Sequence, residues 1–262
     1  MKAIERKRYI LDELQRNGSV VITDLAERIQ VSSMTIRRDL NALDKAGRLT
    51  KVFGGAVSSA GTFTGTEPSV AQRMALQQEE KRRIAQFAAG LIQPDDFVYL
   101  DAGTTTGYIL DYLPARSATL VTNAVSHAKR LAAAGNRVIL IGGELKGTTE
   151  AVIGSQAILT IQGYHFTKGF FGTNGVSKRH GFTTPDPNEA LVKQEAMRQT
   201  ERCYVLADSQ KFGMVSSVTF GGFEEATILT ETEPPEGFSG SKNIRWQSRI
   251  VSSNNRVFLM KS

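Results

Sequence analysis

The 262-residue sequence predicts an α/β protein in two parts, a small N-terminal helical domain ending in a basic hairpin and a larger, mainly parallel α/β domain. Three observations predict it. Two short helical patterns joined by a tight turn occupy residues 22–43. A stretch rich in Gly, Ser, Thr and Ala, without periodicity, follows at residues 58–69. Beyond it, short apolar runs alternate with helical patterns as far as residue 229, the rhythm of a parallel sheet with helices on both faces.

In the N-terminal part, a helix over Arg6–Leu14 supplies Ile10, Leu11 and Leu14 as one wall of a small core. Ile22, Leu25, Ala26 and Ile29 then fall at i, i+3, i+4 and i+7, one apolar stripe of a second helix. Thr23 or the polar run before it can cap that helix. A third helix opens at Ser32, whose hydroxyl can accept a bond from the first turn's free amides. Its apolar set is Ile36, Leu40 and Leu43, so Ser33, Thr35, Arg37, Arg38 and Asn41 point elsewhere. After Gly47, residues 48–57 alternate and turn on Gly54 and Gly55, which reads as a two-stranded wing carrying Lys51. Two exposed arginines on a helix are by themselves usually a solvated face. Beside a third helix and a basic wing they make a winged helix-turn-helix: phosphates meet Arg and Lys, and base edges meet Arg, Asn, Ser and Thr.

Residues 1–57 resemble the N-terminal domain of the DeoR family of bacterial transcriptional regulators. The matching signature is Val31-Ser-x-x-Thr-Ile-Arg-Arg-Asp-Leu40, followed by Leu43, Gly47 and Gly54-Gly55-Ala56. The resemblance implies that the helix from Ser32 reads double-stranded operator DNA, with Ser33, Thr35, Arg37 and Arg38 as contacts. Asn41 and Lys51 complete the candidate DNA-binding set. Asp39 reads as structural, because a carboxylate facing phosphates would repel them and is better placed against a neighbouring arginine.

Composition narrows the rest. A formal net charge of +6 suits a polyanionic partner, though modestly. A single cysteine, Cys203, lies in the apolar run Cys203–Ala207 and reads as a buried thiol, consistent with a reducing cytoplasm. No apolar run approaches the length that spans a bilayer, and Lys2, Glu5, Arg6, Lys7 and Arg8 precede no hydrophobic segment, so the expected location is cytoplasmic, without a membrane partner. His127, His165 and His180 lack metal-ligand spacing, and neither metal nor cofactor is expected.

Residues 58–75 are expected to link the two domains, and residues 76–262 to form the second. A helix from Gln77 buries Ile84, Phe87, Ala88 and Leu91 and stops before Pro94. There follow strand Phe97–Leu100, helix Thr105–Leu113, strand Thr119–Val121, helix Ala124–Ala134 and strand Val138–Ile141. Helix Ser155–Ile161, strand Lys168–Phe171, helix Asn188–Thr200 and strands Cys203–Leu206 and Thr227–Leu229 complete the pattern. From about Glu231 onward the sequence leaves the order of the tail open, and Arg256–Met260 could supply a further strand.

Ligands of parallel sheets sit at the carboxyl ends of the strands. Strand Phe97–Leu100 ends in Asp101-Ala102-Gly103-Thr104-Thr105-Thr106-Gly107, just before a helix. Glycine admits close approach, hydroxyls donate, and helix-start amides attract an anion, so phosphate is the natural guest. Other strand ends carry Thr122-Asn123, Gly142-Gly143, Gly172-Thr173-Asn174-Gly175 and Asp208-Ser209-x-Lys211. Glu189 and Lys193 stand at i, i+4, the spacing of a plain surface pair. The resemblance implies more. The family's C-terminal domain is similar to ribose-5-phosphate isomerase and senses phosphorylated sugars or related metabolites. It implies phosphate on Gly103, Thr104, Thr105 and Thr106 with Lys211, and sugar hydroxyls on Asp101, Asn123, Asn174 and Glu189. Gly142, Gly143, Gly172, Gly175 and Asp208 complete the candidate effector set, and Lys193 is either an anion contact or the partner of Glu189. The implied function is a repressor of a carbohydrate-catabolism operon, a dimer or tetramer on DNA, relieved by a phosphorylated sugar. The competing reading is a sugar-phosphate isomerase fused to a DNA-binding domain, with Glu189, Asp186 and Lys193 moving the proton.

Overall fold

A computed structural model describes residues 3–17, 19–46, 48–52, 55–58, 74, 76–114 and 118–246. The chain divides into two compact units, Met1–Phe63 with Gly213–Val215, and Thr64–Phe212 with Ser216–Ser262. Most of the expected linker, the turn at Phe53 and Gly54, Gly47 and the strand expected over Arg256–Met260 lie outside the described residues.

The first unit runs α1 (Ala3–Asn17), β1 (Ser19–Val21), α2 (Ile22–Ile29), α3 (Ser33–Lys45), β2 (Leu49–Val52) and β3 (Gly55–Ser58). Its core is where the apolar stripes meet: Ile10 and Leu14 of α1, Ile22 and Leu25 of α2, and Ile36, Leu40 and Leu43 of α3, closed by Val20, Leu49 and Ala56. The α2–α3 turn passes through Gln30 in the left-handed region, φ 56°, and Val31 N–H closes back on the Ala26 carbonyl at 3.0 Å. The wing has three strands rather than the expected two, in the order β1-β3-β2 and antiparallel throughout. Ser19–Val21 is too short to show alternation, and its hydrogen bonds go to a strand distant in sequence.

The second unit contains α4 (Gln78–Ala89), β4 (Phe97–Leu100), α5 (Thr104–Ile109), β5 (Thr119–Thr122), α6 (Val125–Ala133), β6 (Arg137–Leu140), β7 (Glu144–Lys146) and β8 (Ala151–Ile153). It continues with α7 (Ser155–Gln162), β9 (Phe166–Gly172), β10 (Gly175–Ser177), β11 (Gly181–Thr184), α8 (Pro187–Arg198), β12 (Thr200–Leu206), β13 (Val218–Gly221), β14 (Thr227–Thr230) and β15 (Ile244–Trp246). Seven strands form a parallel sheet in the order β15-β14-β12-β9-β4-β5-β6. Because side chains alternate along a strand, the sheet feeds two cores. Tyr99, Val121, Phe171, Val205 and Ile228 enter one; Leu100, Leu120, Phe170, Leu206 and Leu229 enter the other, under α4 and α5. From β4 the chain winds one way through β5 and β6, then the other way through β9, β12, β14 and β15. The crevice beyond the ends of β4 and β9 is thus the switch point where an open parallel sheet presents its ligand site.

Two features depart from the expected pattern. The hairpin β7–β8 and the small antiparallel sheet β10-β11-β13 were not anticipated, since each strand has at most four residues. Residues 231–246, whose order the sequence leaves open, are structured: β15 extends the parallel sheet beside β14, and Phe238 packs on Phe212 and Phe223 at ring-centroid distances of 5.1 and 5.9 Å. This Pro- and Gly-rich stretch has no period of its own, and its order comes from burying Phe238 and Ile244 against the core.

Candidate DNA-binding face and effector pocket

The recognition helix α3 starts as its sequence asks. Ser32 caps it, accepting the Thr35 N–H at 3.2 Å, and its hydroxyl also lies 2.9 Å from Thr35 Oγ1. Thr35 is therefore engaged in the cap and half-buried, whereas Ser33, Arg37, Arg38 and Asn41 are exposed. Asp39 is buried and ion-paired with Arg6 of α1. The acid is structural, but its partner lies on another helix and is not one of the adjacent arginines. Lys51 Nζ on β2 donates to Asn41 Oδ1 at 2.6 Å, and its N–H donates to Asp44 Oδ1 at 3.1 Å, so the wing is tied to α3 on two sides.

In the second unit a cavity of about 140 Å³ opens at the switch point. Asp101, Gly103, Thr104, Thr105, Asn123, Gly172, Asn174, Glu189, Lys193, Asp208 and Lys211 all line it. Asp101 holds its floor together. Oδ1 accepts from Gly103 N–H at 2.9 Å and Thr106 Oγ1 at 2.7 Å; Oδ2 accepts from Gly172 N–H at 2.7 Å and from Lys193 Nζ. Lys193 also donates to the Gly172 carbonyl at 3.0 Å. Burial alone would raise the Asp101 pKa, but the Lys193 ammonium and these donors outweigh it and hold the carboxyl below the usual carboxylate range. Gly103 is needed here, since a Cβ would lie 2.9 Å from Asp101 Oδ1 and 3.4 Å from Gly172 Cα.

Several expectations are corrected by this geometry. Asp101 has no lone pairs to spare for a sugar hydroxyl, because both oxygens already bind the protein. Thr106 is fully buried and bonded to Asp101 and to the Gly103 carbonyl at 2.7 Å, so it braces the loop from below. Lys193 is the partner of Asp101, not of Glu189. Gly142, Gly143 and Gly175 do not line the cavity. A Cβ at Gly142 would meet nothing, one at Gly143 would lie 2.6 Å from the Ile153 carbonyl, and Gly175 is buried in β10, where its carbonyl accepts from Thr173 Oγ1.

The remaining wall is built for recognition. Glu189 Oε1 accepts from Thr149 Oγ1 at 2.6 Å and Lys146 Nζ at 3.1 Å, and Lys146 also pairs with Asp186 at 3.0 Å. Asp186 caps α8 by accepting the Glu189 N–H at 2.9 Å, which orients the glutamate. Asn123 Nδ2 donates to the Val152 carbonyl at 3.0 Å, leaving the buried Oδ1 without a partner among the described residues. The cavity is also lined by Lys211, 3.9 Å from Asp208, and by buried Lys81 of α4. For Asp208, burial raises the pKa against the opposing pull of Lys211. Lys81 was missed: in sequence it is one charge in a run of charges, and only its burial at the cavity distinguishes it. Behind the loop, His127 is buried against Gly107, and burial pushes its imidazole down to about 4.

Comparison with known proteins places both units. The DeoR-like helix-turn-helix domain family matches residues 6–62, and the DeoR C terminal sensor domain family matches residues 76–232. The chain belongs to the DeoR family. This DeoR-family regulator is 40% identical to the uncharacterized HTH-type transcriptional regulator FruR of Bacillus subtilis over 86% of this chain and 90% of that one. It is 32% identical to IolR of the same organism over 89% and 91%, and 33% identical to the lactose phosphotransferase system repressor of Streptococcus mutans over 87% and 92%. Ribose 5-phosphate isomerase A of Neisseria gonorrhoeae aligns with 54% of the DeoR-family chain and 56% of its own at 15% identity and a TM-score of 0.39, too loose a match to carry an argument. No helix among its described residues is long and apolar enough to cross a membrane.

Proposed function

We propose that this DeoR-family chain represses an operon of carbohydrate catabolism and leaves its operator when a phosphorylated sugar occupies the cavity of the second unit. The observation that carries this reading is the polarity of that cavity. Lys81, Lys211 and the start of α5 at Thr104 and Thr105, where helix amides favour an anion, all line it. So do two acceptors, Asn123 Oδ1 and the Glu189 carboxylate. A lining that offers cations and a helix start to an anion, and acceptors to hydroxyl donors, suits a sugar monophosphate. The lactose phosphotransferase system repressor among its relatives supports a sugar-linked operon. Operator half-sites repeated on DNA call for a homo-oligomer, as a dimer or tetramer.

We read the second unit as a sensor without turnover, since the groups an isomerase would use are already committed: Lys193 to Asp101, Asp186 to Lys146 and the Glu189 N–H, and one oxygen of Glu189 to Lys146 and Thr149. The test is thermal stabilisation across a panel of pentose and hexose phosphates, with product analysis of each mixture. A stabilising ligand recovered unchanged supports the sensor. Conversion to an isomer overturns it, and a panel without a stabilising member overturns the sugar-phosphate assignment.

A further inference from the structure

An exposed apolar side chain on the outward face of the helix assigned to DNA is left unexplained by the polar contacts so far assigned. Met34, the second residue of α3, is 75% exposed. At about 100° per residue, Met34, Arg37, Arg38 and Asn41 form one stripe of the helix, and buried Leu43 lies about 180° from Met34. Met34 therefore stands on the centreline of the outward face, diametrically opposite the core, while Ser33 and Thr35 sit to either side. It also occupies the first turn, the part of a recognition helix that approaches base edges. In water a methionine there gains nothing. In a major groove its thioether meets one apolar group, the thymine 5-methyl.

We infer that Met34 is a specificity-determining residue of this regulator, reading a thymine methyl in the operator half-site between phosphate and base contacts made by Arg37 and Arg38. It rests on the DNA-binding role of the family and adds an apolar reader to it. Arg37 and Arg38, both exposed and flanking Met34 at i+3 and i+4, give this face the charge a duplex calls for, so within the family's DNA-binding role the methionine meets DNA.

The test uses the full-length chain. Binding sites are selected from a randomised duplex pool, and each thymine of the recovered half-site is replaced in turn by deoxyuridine, which lacks only the methyl. The expected result is one thymine at which the replacement weakens wild-type binding about fourfold, the worth of one buried methyl group. In Met34→Ala that ratio falls to about one, while the two proteins bind the deoxyuridine duplex alike; Met34→Leu keeps the ratio. Wild-type affinity unchanged by deoxyuridine at every position overturns the inference, as does the same ratio persisting in Met34→Ala. A pool that yields no preferred sequence overturns sequence-specific binding as well, so the two failures are distinguishable.

Discussion

Asp101 and Lys193 form the pair on which the effector loop hangs, with side chains only 2% and 12% exposed. Removing one partner of a buried ion pair leaves an uncompensated charge, which is dearer than losing the pair outright. Lys193→Met should therefore destabilise the protein by about 3–5 kcal/mol in denaturant unfolding, and a loss under 1 kcal/mol would show the pair to be dispensable. Asp101 also predicts an acid limit. Its folded pKa lies below the ordinary value of 3.8, so its contribution is complete above 3.8 and is lost as pH falls through the lower folded value. His127 acts in a higher window. Folded, it stays neutral down to about 4, whereas the unfolded chain takes up its proton near 6.5, so between these values the unfolded state binds more protons. Stability should fall as pH drops from about 6.5 to about 4, by on the order of 3 kcal/mol. Denaturant midpoints of His127→Gln measured across that range should show a flatter pH dependence than the wild type; an unchanged slope would rule out His127 as its source.

The element proposed to read DNA is α3, and it is positioned from three sides. Ser32 caps its start, the Arg6–Asp39 pair ties it to α1, and Lys51 ties it to β2. Losing the cap in Ser32→Ala should lower helix stability by about 1 kcal/mol. Replacing Arg37 and Arg38 together with alanine leaves these ties intact and removes two outward cations. Operator affinity should fall tenfold or more and its dependence on salt should become shallower, while stabilisation by the effector stays as in the wild type. Equal operator affinity in the double variant would move the DNA contact elsewhere.

In the whole molecule, a ligand of the second unit must alter the grip of the first. It can do so only through different affinities for the DNA-bound and free conformations, so tight binding alone is not enough. Lys81 tests this coupling. Lys81→Met keeps an unbranched stem at a buried position and removes one of the cations lining the cavity. The variant should bind operator normally yet need tenfold or more effector for release in a fluorescence titration. Release at the wild-type concentration would exclude Lys81 from effector recognition.

Periodicity and short-range chemistry were readable from the chain alone. The helical stripes through Ile10, Leu25 and Ile36, the Ser32 cap, the alternating strands and the strand-end loop at Asp101 depend on neighbours a few residues away. Long-range pairing was not readable, because nothing local specifies a partner. That Asp39 meets Arg6, that Asp101 spends both oxygens on Gly103, Thr106, Gly172 and Lys193, and that Glu189 meets Lys146 were decided only when distant segments packed. The same holds for β15, whose residues show no pattern until Phe238 and Ile244 find the core. By itself the sequence determined the main helices, six of the seven strands of the parallel sheet and which face of α3 looks outward. Tertiary structure decided which polar groups were consumed in holding the fold and which were left for a ligand, since a hydrogen bond or ion pair depends on proximity in space and not along the chain.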